Sequence, residues 1–141
     1  MEILILLLIF IIIIILLSKK SGSAEYNINI QNPSDTPWLD YIISGIKKYE
    51  GRLNKGKFSN MRVGDKIIFM NNGRSIETII VGLKYYKDFI EAYEDLGEKL
   101  VPNFPCMRGK DKKKEVKRLY NLYFNDEDIK KYGIVAIKIK V

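Results

Sequence analysis

The sequence predicts an α+β protein in which a small mixed β-barrel with flanking helices is preceded by one N-terminal transmembrane helix. Short stretches of alternating apolar and polar residues, typical of half-buried strands, recur along the chain between turn-forming residues. Segments with apolar residues at helical spacing, typical of helices, lie in the connections between these predicted strands. This order favours a partly open barrel, because a Rossmann-type sheet needs regular strand–helix alternation. The membrane helix is predicted from an unbroken apolar run at the N-terminus.

The apolar run extends from Ile3 to Leu17 and contains fifteen residues. As an α-helix it would rise about 22 Å, less than the ~30 Å thickness of the hydrocarbon core of a bilayer. Local thinning of the bilayer is expected to absorb the difference. A cleaved signal peptide is the alternative, but such peptides begin with a positive charge, and the only charge before this run is Glu2. A retained anchor is therefore predicted.

Two lysines, Lys19 and Lys20, follow the run directly and predict its orientation. Cytoplasmic flanks of membrane helices are enriched in Lys and Arg, so this side is expected to face the cytosol. The chain then divides into an anchor at residues 1–18, a linker at 19–25 and a domain at 26–141. The predicted localisation is a single-pass membrane protein with a cytosolic C-terminal domain.

Composition excludes several kinds of chemistry. The chain has no histidine and one cysteine, Cys106. An internal disulfide, histidine-dependent nucleophilic catalysis and the usual imidazole or multi-cysteine metal centres are therefore excluded. No metal and no cofactor are predicted, and the oligomeric state is left open.

The formal net charge of +7 favours polyanionic partners, namely nucleic acid, nucleotide phosphates or an acidic membrane face. A lysine-rich solvated surface fits the charge equally well. The charge is most concentrated in a predicted helix at Arg108–Arg118. Its seven cations are Arg108, Lys110, Lys112, Lys113, Lys114, Lys117 and Arg118. Such a basic segment binds nucleic-acid backbone or anionic lipid, although an ordinary solvated helix face fits it as well.

The first half of the domain is predicted to contain a strand at Tyr26–Ile30 and a helix that begins at Trp38. On its helical face Trp38 is expected to pack in the core, with base stacking as the alternative. A hairpin follows, with strands at Lys66–Met70 and Ile76–Leu83 around Asn72-Gly73.

The second half is predicted to be mainly helical. Asp88 caps a helix that ends at Gly97, and Asn125 caps a further helical turn beyond the basic segment. Tyr120, two residues after the basic segment, is expected to face the core. The closing strand is predicted at Val135–Val141, with alternate residues facing inward.

The segment Gly45–Leu53, between the first helix and the hairpin, combines three cations, one carboxylate and two glycines. If it is extended, Lys48, Glu50 and Arg52 project from one face at spacings of about 7 Å. A carboxylate between two cations stays ionised and suits an acceptor or general base. Arg52 offers a planar fork for phosphate, and Lys47 or Lys48 a mobile point charge. On these residues alone, a surface ion-pair ladder fits as well as a binding site.

The chain resembles the ASCH domain family, whose pattern G-x-K-x-x-E-x-R is matched by Gly45, Lys47, Glu50 and Arg52. The neighbouring features also fit: Trp38 in the preceding helix, Gly64-Asp65 before a strand that ends in Phe69, and a closing strand after Gly133. The resemblance covers roughly residues 26–141. It implies a PUA-like β-barrel with a cleft beside the motif, RNA or nucleotide binding in that cleft, and hydrolase activity in some members.

One branch of the family resembles an amidohydrolase acting on N4-acetylcytidine, which implies a catalytic lysine at the position of Lys47. A threonine of that branch is replaced here by Glu50, so its candidate nucleophile is missing. A further acid of that branch has three candidates in this chain, Glu91, Glu94 and Glu98. Another branch resembles nucleases.

The leading hypothesis is a membrane-tethered ASCH-like domain that binds RNA or a nucleotide-like ligand beside the motif. The residues expected to contact the ligand are Gly45, Lys47, Lys48, Glu50 and Arg52. The first alternative is a hydrolase of a modified nucleoside or of RNA, in which Lys47 and Glu50 share the acid–base work. The second alternative is a non-catalytic juxtamembrane module that binds anionic lipid through its basic segment.

Overall fold

One mixed sheet of five strands forms the centre of the fold in the computed structural model, which describes residues 1–19 and 22–141. The strands are β1 (Glu25–Asn29), β2 (Tyr49–Leu53), β3 (Lys66–Asn71), β4 (Arg74–Tyr86) and β5 (Ile134–Lys140). They lie in the order β1-β3-β4-β5-β2. The β1–β3 pair is parallel, and the other three pairs are antiparallel.

The sheet is a half-barrel whose two edges are β1 and β2. Parallel neighbours need a long crossover, and the chain between β1 and β3 contains both a helix and β2. This crossover carries β2 to the opposite edge of the sheet, where it pairs with β5. The predicted α+β class and mixed, partly open barrel are confirmed, and the open side lies between β1 and β2.

The predicted hairpin is confirmed, with longer strands than expected. Asn72 and Gly73 have φ angles of 46° and 79°, the left-handed pair of a type I′ turn. Strand β4 has 13 residues and extends beyond its hairpin partner to pair with β5. Within the β4–β5 pair the register shifts between Ile80 and Gly82, which marks a bulge in β4.

The described residues also form α-helices between and before the strands. They are α1 (Glu2–Lys19), α2 (Trp38–Ile43), α3 (Phe89–Leu96), α4 (Lys112–Asn121) and α5 (Asp126–Tyr132). Two predicted N-caps are confirmed: a side-chain oxygen of Asp88 accepts from the Glu91 N–H of α3, and one of Asn125 accepts from the Asp128 N–H of α5, both at 2.8 Å.

The predicted helix at Arg108–Arg118 is displaced towards the C-terminus. A short 3₁₀ turn ends at Met107, and Gly109 has a left-handed φ of 72°, which interrupts helical geometry. Asp111 then caps α4 by accepting from the N–H of Lys114 at 3.0 Å. The first cations of the basic segment therefore lie in an irregular loop before the helix.

The core is centred on β5 and on the aromatic residues of the helices. Residues 134–137 of β5 are buried without alternation, because β5 is an inner strand with elements packed on both of its faces. Val141 was predicted to face inward but lies beyond the strand and is 59 % exposed. Trp38 is buried as predicted, and its ring meets that of Phe104 edge-on at a centroid distance of 4.6 Å.

The predicted transmembrane helix is wrong, and the single-pass membrane localisation with a cytosolic domain is wrong with it. Residues of the apolar run do form α1, but no helix in residues 1–19 and 22–141 has the length and apolar character needed to cross a membrane. The physical reason is length, because fifteen apolar residues rise only about 22 Å in a helix. Lys20, one of the two lysines from which the orientation was predicted, lies outside the described residues, as does Ser21.

Candidate functional site

The five residues predicted to contact the ligand occupy different environments around β2. Gly45 lies in an exposed turn after α2 with a φ of 77°, and Lys48 is also exposed. Lys47 and Glu50 are buried, whereas Arg52 is half-buried. The motif therefore does not act as a single surface ladder.

Glu50 and Arg52 lie two positions apart in β2, so their side chains project from the same face. The Nε atom of Arg52 lies 3.4 Å from Oε1 of Glu50. The guanidinium carbon of Arg52 lies 5.3 Å from the ring centroid of Phe58, which supports the side chain from below. Oε2 of Glu50 is buried and has no hydrogen-bond partner among the described residues. One carboxylate oxygen is thus engaged and the other is a free acceptor.

Lys47 is enclosed by the protein, with 1 % of its surface exposed. Its Nζ donates to the backbone carbonyls of Tyr49 and Leu100 and lies 4.9 Å from the centroid of the Trp38 ring. Burial lowers the pKa of the Lys47 amine to about 8, against the charge of Glu50, which raises it. The predicted catalytic and ligand-binding roles of Lys47 stay predictions.

A pocket of about 240 Å³ opens beside Glu50 and Arg52, at the gap between the two edges of the half-barrel. One wall comes from the chain at the end of β1 and the other from β2 and α4. The lining residues are Asn29, Ile30, Gln31, Trp38, Glu50, Gly51, Arg52, Tyr120, Tyr123 and Phe124. Lys47 is not among them. Four aromatic side chains and two charged groups therefore surround one small cavity.

Tyr120 is a pocket residue that the sequence did not identify, since its helical position predicted only core packing. Its ring is buried and stacks on that of Phe89, with centroids 3.8 Å apart and planes 9° apart. Its hydroxyl is buried without a hydrogen-bond partner among the described residues. Burial raises the pKa of Tyr120 well above its ordinary value; the charge of Glu50 adds to this effect and that of Arg52 opposes it. A buried tyrosine usually has a hydrogen-bond partner for its hydroxyl. The prediction that Tyr120 faces the core was therefore the only indication in the sequence that its hydroxyl needs a polar partner.

Gly51 provides the space in which the Tyr120 hydroxyl lies. A Cβ atom at this position would lie 3.1 Å from the Tyr120 oxygen and 3.2 Å from Cε1 of Phe89. Both distances are shorter than ordinary van der Waals contacts. The glycine between Glu50 and Arg52 therefore allows α3 and α4 to pack directly on the β2 backbone.

The basic segment is exposed, and its charge is partly neutralised by neighbouring acids. Its four ion pairs are Arg118–Glu115 at 2.8 Å, Lys110–Glu115 at 4.0 Å, Lys112–Glu98 at 3.5 Å and Lys113–Glu94 at 3.1 Å. Arg108, Lys114 and Lys117 form no ion pair with any described residue. None of the seven cations lines the pocket. Two of the three candidate acids, Glu94 and Glu98, thus pair with α4, and the third, Glu91, accepts a hydrogen bond from the N–H of Lys87.

Comparison with known proteins identifies the family. The sequence model of the ASCH domain matches residues 35–141. The chain belongs to the ASCH domain family. The resemblance predicted from the motif is thereby confirmed, and the half-barrel is an ASCH, PUA-like module.

Two solved structures resemble this ASCH domain. The crystal structure of the hypothetical protein PH0355 is 30 % identical, with a TM-score of 0.69, and the match covers 82 % of this chain and 97 % of that one. The solution structure of protein PF0455 from Pyrococcus furiosus is 28 % identical, with a TM-score of 0.61, and the match covers 82 % and 96 % of the two chains. Comparison with curated proteins gave no match.

Proposed function

We propose that this ASCH domain binds single-stranded RNA or a nucleotide by taking one base into the pocket beside Glu50 and Arg52. The observation that carries the proposal is the unpartnered, buried Oε2 atom of Glu50 in an aromatic pocket. A buried polar atom without a partner costs free energy, on the order of 1–3 kcal/mol. A ligand that donates a hydrogen bond to this oxygen recovers that cost.

The size and lining of the pocket support a base as the bound group. Its volume of about 240 Å³ is below the range of roughly 300–1,000 Å³ that is typical of pockets for drug-sized ligands. A single heteroaromatic ring system fits a cavity of this size. Trp38, Tyr120, Tyr123 and Phe124 supply flat surfaces, and stacking on aromatic side chains is the usual way in which proteins hold unpaired bases.

Two cations close to the Phe58 ring, Arg52 of the pocket and Lys57, support a phosphate next to that base. The terminal Nη groups of Arg52 donate no hydrogen bond to the described residues, and its side chain is 21 % exposed. Lys57 lies nearby, with its Nζ 5.6 Å from the centroid of the same Phe58 ring that supports Arg52. A guanidinium fork and a neighbouring ammonium are suited to a phosphate group.

The test compares Arg52→Ala with Arg62→Ala, which removes the same charge from an exposed position outside the pocket. Binding of short labelled single-stranded RNA and of the four nucleoside monophosphates is measured at fixed salt. Arg52→Ala should weaken binding by about tenfold or more, as expected for a hydrogen bond to a charged group. Arg62→Ala should have only the small effect of one surface charge. Equal effects of the two substitutions would contradict the proposed site, and comparison of the two probe types identifies whether polymer or monomer is preferred.

Hydrolysis of a modified nucleoside or of RNA is the second candidate function, and the pKa of about 8 for Lys47 favours it. An amine with that pKa is partly neutral near physiological pH and accepts a proton. Catalysis would require the amine to leave its two carbonyl partners and reach the pocket. Incubation with N4-acetylcytidine and with RNA, followed by mass spectrometry, tests this function; absence of product leaves binding alone.

Binding of anionic lipid by the basic segment was predicted for a membrane-tethered chain, and that tether is overturned. The ion pairs of α4 with Glu94 and Glu98 weaken the electrostatic argument further. RNA or nucleotide binding is therefore the function that the described residues favour.

A further inference from the structure

We propose that Glu50 and Tyr120 act as a pair that reads one edge of the bound base, with Glu50 Oε2 accepting from a ring or exocyclic N–H and the Tyr120 hydroxyl donating to the neighbouring acceptor. This inference rests on the proposed binding of a base in the pocket. It extends the proposed function in two ways. Tyr120 becomes a specificity-determining residue, and the ligands become bases that present one N–H donor beside one acceptor.

The two unpartnered atoms occur in one place. Across residues 1–19 and 22–141, the buried side-chain polar atoms that lack a partner are Oε2 of Glu50 and the hydroxyl of Tyr120. Glu50 is 5 % exposed and Tyr120 is 4 % exposed, and both line the same pocket. Buried polar atoms are normally hydrogen-bonded, so an unsatisfied acceptor and an unsatisfied donor that border one cavity indicate a ligand with the complementary pair.

The packing fixes the positions of both groups. Oε1 of Glu50 faces Nε of Arg52 at 3.4 Å, which fixes the orientation of the carboxylate beside the pocket. The ring of Tyr120 is held by the parallel ring of Phe89, and its hydroxyl lies over the backbone of Gly51. Binding groups that are already oriented lose little conformational entropy when a ligand arrives.

The chemistry of the pair selects among bases. A carboxylate only accepts hydrogen bonds, so Oε2 requires an N–H on the ligand. The raised pKa of Tyr120, caused by burial, keeps its proton in place, so its hydroxyl is able to donate. Cytosine and adenine offer an amino N–H beside a ring nitrogen, and uracil offers its ring N–H beside a carbonyl.

Guanine is expected to bind less well. Guanine also offers its ring N–H beside a carbonyl, but its amino group adds a second donor next to that N–H, and these two donors match both oxygens of a carboxylate. Here Oε1 is engaged by Arg52, and the amino group of guanine would be left without a partner.

A larger cavity of about 360 Å³ between α3, α4 and α5 does not compete as the site of this pair. Tyr120 borders it as well, but Glu50 does not. The hydroxyl of Tyr120 lies beside Gly51, and Gly51 borders the smaller pocket but not the larger one.

The test on the protein uses Tyr120→Phe, with Tyr123→Phe as the matched control. Both remove one hydroxyl from the same pocket, but Tyr123 is 48 % exposed. Tyr120→Phe should weaken binding of the preferred RNA by about tenfold, whereas Tyr123→Phe should leave it within about twofold. Because the Tyr120 hydroxyl has no hydrogen-bond partner among the described residues, Tyr120→Phe should also leave Tm unchanged or raise it. A lowered Tm would show a structural hydroxyl and overturn the inference.

The test on the ligand uses short RNA homopolymers and their N-methylated forms. The wild-type protein should bind oligomers of C, A or U more tightly than those of G. Dimethylation of the amino group of C or A, or methylation of the ring N–H of U, should weaken binding by about tenfold or more. In Glu50→Gln this loss should shrink, because a neutral amide oxygen accepts a weaker hydrogen bond than a carboxylate, so less of the binding free energy depends on the N–H of the base.

The outcomes separate this inference from the proposed function. Binding that depends on Arg52 but is unchanged by Tyr120→Phe, or equal binding of methylated and unmethylated RNA, would overturn the inference and leave the function standing. Absence of RNA and nucleotide binding by the wild-type protein would overturn both.

Discussion

Lys47 and Glu50 are three residues apart in the motif, yet their charged groups lie in different surroundings. The Glu50 carboxylate borders the pocket, whereas the Lys47 ammonium contacts two backbone carbonyls and the face of Trp38. Carbonyl oxygens and an aromatic face both stabilise a cation, so they offset part of the cost of burying this charge. Lys47 therefore ties β2 to the chain at Leu100 and supports the wall of the pocket from inside.

The stability of the protein should depend on the protonation of Lys47. The pKa of its amine is lowered from 10.5 in the unfolded chain to about 8 in the folded protein, so the unfolded state binds more protons between these values. The penalty for burying the charge is present below pH 8 and is relieved as the pH rises towards 10.5. Over this pH interval the free energy of unfolding of the wild-type protein should rise by up to about 3 kcal/mol relative to that of Lys47→Met.

Urea unfolding of both proteins at several pH values between 7 and 10.5 measures this gain. The Lys47→Met protein is the control, because tyrosines and other lysines titrate in both chains and cancel in the difference. If the difference in unfolding free energy between the two proteins does not change with pH, the buried amine keeps its ordinary pKa.

At the scale of elements, β2 is the meeting point of the half-barrel and the helical layer. One edge of β2 pairs with β5, and Gly51 in its middle lies under the Tyr120 ring of α4 and the Phe89 ring of α3. The site therefore depends on close approach between one strand and two helices. A glycine permits this approach because it has no Cβ.

Gly51→Ala should destabilise the protein and disturb the pocket. The added Cβ would lie 3.1 Å, 3.2 Å and 3.3 Å from atoms of Tyr120, Phe89 and Leu100, and three packed neighbours must move together. Overpacking of this kind costs about 1–3 kcal/mol. Gly82→Ala in β4 is the matched control, because its nearest contact would be an ordinary 3.4 Å to Lys138. Urea unfolding should show a clear loss for Gly51→Ala and a small change for Gly82→Ala; equal losses would exclude the close approach as the cause.

The elements that were predictable from the sequence are those with local causes. Asn72-Gly73 forces a tight turn, and Asp88 and Asn125 cap helices three residues away from the N–H groups that they bind. The site depends on contacts between distant parts of the chain. Lys47 is buried because the carbonyl of Leu100 comes near it, and Tyr120 reaches the pocket because α4 packs on β2. No local pattern contains such information, so the motif identified the strand of the site but not its opposite wall.

At the scale of the whole molecule, the topology determines where the pocket lies. The two edge strands of the half-barrel are adjacent to the same cavity, β1 through the residues at its end and β2 through Glu50 and Arg52. An open barrel leaves a gap between its edges, and here aromatic residues of α2 and α4 close that gap on one side. The pocket is therefore a consequence of the strand order as much as of the motif.

Helix α1 places none of its described side chains, those of residues 2–16, in this architecture. These side chains are all exposed, and among the residues with described side chains the first of the hydrophobic core is Ile28. Exposed apolar side chains contribute no burial energy to folding of the domain. The described residues of the core and of the pocket all lie after Ala24, whose N–H donates to Asp65 at 2.9 Å.

Deletion of residues 1–23 should leave the fold and the pocket intact. The expected Tm lies within about 4 °C of the full chain, which corresponds to less than about 1 kcal/mol for a domain of this size. A second truncation that begins at residue 31 is the control: it removes β1 with Ile28 and Ile30, and should unfold without a cooperative transition. Thermal unfolding followed by circular dichroism, together with RNA binding, measures both effects. If the shorter deletion lowered Tm by more than about 10 °C, α1 would have to pack against the half-barrel in solution, because loss of exposed side chains alone cannot produce a change of that size.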